Sequence, residues 1–153
     1  MKYSVVIPVY NTVGPLPELT ARLAKVFAEM GALYEVIMVD DGSPNPETWR
    51  TLERVAADDK RVRAIRLSRN FGQQPATLCG IAESTGDYVI TMDDDLQHSP
   101  EDIPLLADFK EHDVVIAQFH DKKHSLGKRL ASRLKGYFDR VIIGKPANIQ
   151  LSP

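Results

Sequence analysis

The chain has 153 residues, 43% hydrophobic and 26% charged, with a net charge of −2. That composition suits one soluble domain with a core of its own and excludes a disordered or fibrous chain. No run reaches the roughly 20 apolar residues of a membrane span, and the single Cys79 excludes an internal disulfide and fits a packed thiol in a reducing compartment.

In chain order, the first strand is expected over residues 3–9; the apolar run before Pro8 is too short for a signal peptide. A helical pattern over 15–30 stops at Gly31, and 35–39 is a second strand, with Val36 to Val39 apolar throughout as in a strand buried on both faces. A helix over 46–58 follows Pro46, with Ser43 or Asn45 available as its cap, then a strand over 62–67, a helix over 73–84 that carries Cys79, and a strand over 87–92. Ser99, Pro100, Glu101 and Asp102 read as a helix start for 100–110, with structural acids in the first turn. A fifth strand over 113–117 and a helix over 124–143 complete the pattern. The alternation predicts an α/β fold, a mainly parallel sheet with helices on both faces and right-handed crossovers.

Two acidic clusters stand at strand ends: Asp40-Asp41-Gly42-Ser43 and Asp93-Asp94-Asp95. The carboxyl ends of parallel strands share one edge, so both clusters should meet in one crevice. The first could be a simple turn, since Asp and Gly are turn residues. The second is harder to explain that way, because adjacent carboxylates repel and a turn needs only one. A divalent cation carrying a phosphorylated ligand suits such a cleft. An EF-hand loop from Asp93 fails, because His98 and Pro104 stand where Gly and Glu are required. A glycine-rich phosphate loop fails too, because Pro8-Val9-Tyr10-Asn11 follows the first strand.

With Pro8-Val9-Tyr10-Asn11, Asp40-Asp41-Gly42-Ser43, Arg69-Asn70-Phe71-Gly72 and Asp93 to Glu101 in that order, the chain resembles the family 2 glycosyltransferases of GT-A fold. It is most similar to the branch that moves a sugar from a nucleotide diphosphate to a polyprenyl phosphate. The likeness runs from residue 3 to about residue 118 and weakens beyond. It implies a Rossmann-like nucleotide-sugar-binding domain spanning 1–153 and truncated at its C-terminal end.

The resemblance places Pro8, Tyr10 and Asn11 near the base or ribose and Asp40 or Asp41 on the base. It puts Asp93 on the ribose or the metal's water shell, Asp95 as the best ligand for Mg²⁺ or Mn²⁺, and Gln97 as a second ligand. Asp94 takes a middle place where the family often has alanine; it is grouped with the nucleotide-sugar residues, or stands as an extra acid without a direct role. Arg69 is a candidate for phosphate or for a surface ion pair, Tyr10 for stacking on a base or packing beside the first helix, and His98 for a supporting role or an ordinary exposed turn. Two departures stand out: Thr12 replaces a common Glu, and Phe119 replaces an arginine that helps hold diphosphate, which leaves Lys122 or Lys123 to supply that charge.

Metal-held diphosphate is a good leaving group, so the expected activity is inverting, metal-dependent sugar transfer. The acceptor is a polyprenyl phosphate or a saccharide, and no catalytic base is identified. Residues 120–140 carry seven basic side chains against Asp121 and Asp139, and the helix over 124–143 has an apolar stripe that either packs on the sheet or meets a lipid surface. The expected location is the cytoplasm, with the full-length protein at the membrane's cytoplasmic face, and no nucleic-acid partner. The chain is expected to bind donor and to transfer sugar poorly, since acceptor contacts belong after Pro153. Sugar-1-phosphate nucleotidyltransferase and non-catalytic nucleotide-sugar binder are the alternatives. A phosphoacceptor receiver domain fits less well, because its acids would follow the first and third strands.

Overall fold

The computed structural model describes residues 1–109 and 112–117. The chain divides into two compact units, Met1–Val115 and Ile116–Pro153; the second lies almost wholly outside the described residues, as do the helix expected over 124–143 and residues Phe119, Lys122 and Lys123. The first unit holds strands β1 (Lys2–Val9), β2 (Leu33–Asp40), β3 (Val62–Arg66) and β4 (Tyr88–Thr91), and helices α1 (Pro15–Glu29), α2 (Pro46–Asp58), α3 (Gln73–Ala82) and α4 (Ile103–Ala107).

All four strands are parallel, in the order β3-β2-β1-β4. The chain steps outward from β1 to β3, and α3 then carries it back across the sheet to the other side of β1. Right-handed crossovers in opposite directions must lie on opposite faces. Side chains accordingly alternate along each strand. Tyr3, Val5, Ile7 and Val9 of β1 join Val36 and Met38 of β2 in the main core, beneath Leu19, Leu23 and Phe27 of α1 and Leu52 of α2. On the other face Ile37 and Val39 meet Ala76 of α3, with Cys79 packed beside them. A Cβ on Gly80 would lie 2.4 Å from Val6 Cγ1, so this glycine lets α3 sit close to β1.

Local signals explain most element ends. Asn45 caps α2 by accepting the Glu47 N–H at 3.0 Å, and Gly31 supplies the left-handed turn (φ 59°) after α1. Two expectations need correction. Where one helix is expected over 100–110, the described residues form a 3₁₀ turn at Pro100–Asp102 followed by the five-residue α4: Pro104 has no N–H to return to the preceding turn, so a continuous α-ladder cannot run through it. Residues 112–117 form no strand, and Val114 and Ile116 are 77% and 78% exposed. Apolar β-branched composition favours a strand only where a neighbouring ladder and a covering layer receive it, and among the described residues this run has neither.

At the amino edge of the sheet, Glu35 of β2 is buried among donors. Its Oε1 accepts from the Ser4 hydroxyl (2.7 Å) and from the Thr85 N–H and hydroxyl (both 2.8 Å), with Lys2 Nζ at 3.3 Å. Burial, the largest single influence, pushes this carboxyl upward; the bonds from Ser4, Thr85 and Lys2 together outweigh it and hold the group at about 2. The Gly86 N–H donates to Ser4 Oγ at 2.9 Å, completing the cluster.

Candidate nucleotide-sugar site

The order in which the chain adds strands reverses between β1 and β4, and open α/β sheets bind ligands outside the carboxyl ends of their strands at such a point. Pro8 helps open it. Val9 accepts the Asp41 N–H from the β2 side, whereas Val6 accepts the Met92 N–H from the β4 side. By that alternation the next rung toward β4 would need an N–H at position 8, which proline lacks, and the β1–β4 pairing ends at Val6 with Thr91. Pro8, Gln73, Thr77, Thr91, Met92, Asp93 and His98 line a cavity of about 120 Å³ there.

Beyond Pro8 the loop is tied to β2. Asn11 adopts φ 58°, which asparagine tolerates better than most residues; its N–H donates to Ser43 Oγ at 2.9 Å and its Oδ1 accepts the Asn45 N–H at 3.3 Å. Tyr10 is 46% exposed at the rim. Asp40 is fully buried: Oδ1 accepts the Ser43 N–H at 2.9 Å, and Oδ2 makes no hydrogen bond but has Arg66 Nε 3.3 Å away. Arg66 also lies over the Trp49 ring, 5.5 Å from its centroid.

Asp41, 3% exposed, spends both oxygens on the start of α3, accepting the Phe71 and Gly72 N–H groups at 2.8 Å each. A carboxylate against the positive end of a helix is well placed. Gly42 (φ 64°) completes the join, since a Cβ there would lie 2.3 Å from the Arg69 carbonyl carbon. The Arg69 guanidinium stands over the Phe71 ring, 4.7 Å from its centroid.

The loop after β4 presents the three consecutive acids differently. Asp93, half-buried, accepts from Gln73 Nε2 at 2.8 Å and has His98 Nδ1 3.5 Å from Oδ2. Asp94 turns toward β1, 3.4 Å from the Tyr10 N–H. Burial raises its pKa, and the hydrogen bonds from Thr12 and Tyr10 offset this only in part, with Asp95's charge adding to the rise. Asp95 is exposed, its Oδ1 accepting the Gln97 N–H at 2.9 Å in a local turn. Leu96 then takes φ 60°, a conformation that costs a residue with a Cβ roughly 1–2 kcal/mol and is held here by its packing on the main core. Downstream, Arg22 of α1 fixes the loop by hydrogen bonds to Ser99 Oγ at 2.9 Å and to Glu101.

Sequence reasoning placed the two acidic clusters together, and the loops from β1, β2 and β4 do meet at this edge. It missed Gln73 of α3, Arg22 of α1 and Thr12 of the β1 loop as partners of acids, because a polar side chain gives no local sign of which distant carboxylate it will reach. The acids fit a divalent cation of limited demands. Among the described residues no group of three or more His, Cys, Asp or Glu side chains is arranged to hold a metal, whereas Mg²⁺-type sites commonly use one or two carboxylates and complete their shell with phosphate oxygens and water. Asp95, exposed and with Oδ2 outside its local turn bond, suits that role.

Together the sheet order, the acids at the switch point and the helices on both faces define a GT-A-type α/β domain. The chain belongs to glycosyl transferase family 2, whose sequence profile matches residues 4–149. It is 39% identical to the undecaprenyl-phosphate 4-deoxy-4-formamido-L-arabinose transferase of Klebsiella pneumoniae (strain 342), over 87% of this chain and 41% of that protein. It is 38% identical to the protein of the same name from Erwinia tasmaniensis, over 94% of this chain and 45% of the relative. The chain thus spans under half the length of these relatives. Among solved structures, the mannosyltransferase PcManGT from Pyrobaculum calidifontis in complex with GDP-Man and Mn²⁺ shares the fold at TM-score 0.54 and 20% identity, over 61% of this chain and 27% of that one. S. aureus TarS 1-349 does so at TM-score 0.52 and 23% identity, over 72% and 32%. No helix among the described residues is long and apolar enough to cross a membrane.

Proposed function

We propose that this chain carries the donor side of a glycosyltransferase: it binds a nucleotide-diphosphate sugar with Mg²⁺ or Mn²⁺ in the β1/β4 crevice, and the whole enzyme passes the sugar to undecaprenyl phosphate or a similar polyprenyl phosphate. The observation that carries this reading is the meeting, at one switch point, of Asn11 and Ser43 with Asp93, Asp94 and Asp95 on rigidly tied loops. The acceptor is argued from what the relatives of about 40% identity are named for.

In this reading Pro8, Tyr10 and Asn11 line the nucleotide, with Asp40 beneath them ordering the β2 loop through Ser43. Asp41 sets the start of α3. Asp95 holds the metal with Gln97 beside it, Asp93 faces the ribose or the metal's water shell, and Asp94 fixes the distance between the β1 and β4 loops. The bound cation supplies charge neutralisation as the diphosphate leaves. Arg69 stands at the rim where a phosphate could draw it from Phe71. A polyprenyl phosphate is already anionic near neutral pH, since its second ionisation falls near ~6, so the acceptor itself lowers the need for a protein base.

Thermal unfolding against UDP-, GDP- and dTDP-sugars with Mn²⁺ or Mg²⁺ tests the reading. One donor class should raise the midpoint in a metal-dependent way, and a chelator should remove the gain. No shift with any donor would contradict it, while binding without turnover in the full-length enzyme would favour a non-catalytic binder.

A further inference from the structure

We infer that Gln73 is a positioning residue for Asp93, joining the two acidic motifs of the site through α3. This rests on the donor-site reading above. Gln73 is the first residue of α3, and its backbone is fixed from β2: Asp41 takes the N–H groups of the two preceding residues, Phe71 and Gly72, and Gly42 lies against Arg69 and Asn70 too closely to admit a Cβ. Its side chain then reaches the end of β4, where Nε2 donates to Asp93 Oδ1 at 2.8 Å. A hydrogen-bonded path thus runs from the Asp41 carboxylate, through the start of α3, to the Asp93 carboxylate.

The choice of side chain fits the task. A lysine or arginine at position 73 would also reach Asp93, but its charge would cancel the field that attracts a cation. The neutral amide fixes the carboxylate's rotation and leaves the negative charge in place. With Oδ1 held by Gln73 and His98 Nδ1 3.5 Å from Oδ2, Asp93 is restrained from two sides while still lining the cavity. Partners of this kind, one shell out from a metal or its waters, typically change metal affinity by about 10–100-fold when removed.

The test is Mn²⁺ affinity, read from the electron paramagnetic resonance signal of free Mn²⁺ in solutions of the protein with UDP or with GDP present. Gln73→Met keeps length and helix propensity and removes the donor; it should weaken Mn²⁺ binding about tenfold while the metal-free unfolding midpoint stays where it was. Gln74→Met, one residue along the same exposed helix start, should leave both unchanged. Wild-type affinity in Gln73→Met, an equal loss in Gln74→Met, or a loss matched by lower metal-free stability would overturn the inference and leave the donor site standing. Failure of the unaltered protein to bind Mn²⁺ with either nucleotide would overturn both.

Discussion

Glu35 and Asp94 are both carboxylates withdrawn from water at opposite edges of one sheet, and the protein treats them in opposite ways. Around Glu35 the donors outnumber what burial takes away, and its pKa falls to about 2. Around Asp94 burial prevails over the bonds from Thr12 and Tyr10, and its pKa rises. The amino edge is satisfied by the protein alone, whereas at the carboxyl edge the donors to Asp94, which stands between Asp93 and Asp95, do not fully offset its burial. That imbalance at Asp94 is in keeping with the cation site proposed above.

The contrast can be broken most directly at Glu35. Glu35→Ala strands the buried Ser4 hydroxyl and the part-buried Thr85 N–H and should cost about 2 kcal/mol in urea unfolding, with metal-dependent nucleotide binding unchanged in the folded fraction. Acid should reveal the same group in the unaltered protein. Its folded pKa of about 2 lies below the ordinary value of 4.5, so its contribution is complete above about pH 4.5 and is lost as pH falls toward 2. Across that window Glu35→Gln should show a flatter stability profile than the parent, and parallel profiles would mean that the cluster does not hold the charge.

Smaller effects belong to the other edge. Because the Asp94 pKa is raised, its charged form opposes folding at neutral pH, and Asp94→Asn should add up to about 1 kcal/mol to metal-free stability; a clear loss would show that the Tyr10 and Thr12 bonds prevail over burial. The least effect on folding is expected at Asp95, where Asp95→Asn should shift metal-free stability by no more than about 0.5 kcal/mol. The same variant should lose most metal-dependent binding in calorimetry, and undiminished binding would remove Asp95 from the site.

How much of this was legible beforehand follows from the range of each interaction. β1, β2, α1 and α2 announce themselves through apolar period, proline, glycine and an asparagine cap, all of which act within a few residues. The parallel sheet follows from alternation, and with it the shared edge of the two acidic clusters. The Glu35 cluster was not legible, because its donors lie 31 and 50 residues away and an isolated Glu in a strand looks like a surface residue. Gln73 was hidden for the same reason. The stretch 113–117 misled because strand composition is a local property and strand formation is not. The resemblance puts Asp40 or Asp41 on the base, and no local signal shows that both Asp41 oxygens also accept hydrogen bonds from the start of α3.

Pro8 carries a consequence for how the crevice is maintained. Two adjacent parallel strands tend to go on pairing as long as each has donors to offer, and a ligand entering between them would then have to undo hydrogen bonds. With position 8 unable to donate, β1 and β4 separate after Val6 and Thr91 whether or not anything is bound. The ring also fixes the local backbone torsion at about −65° and narrows the unfolded chain's choices at that point. The opening is therefore a permanent property of the covalent chain, and binding energy that would otherwise go into parting the strands remains available as affinity.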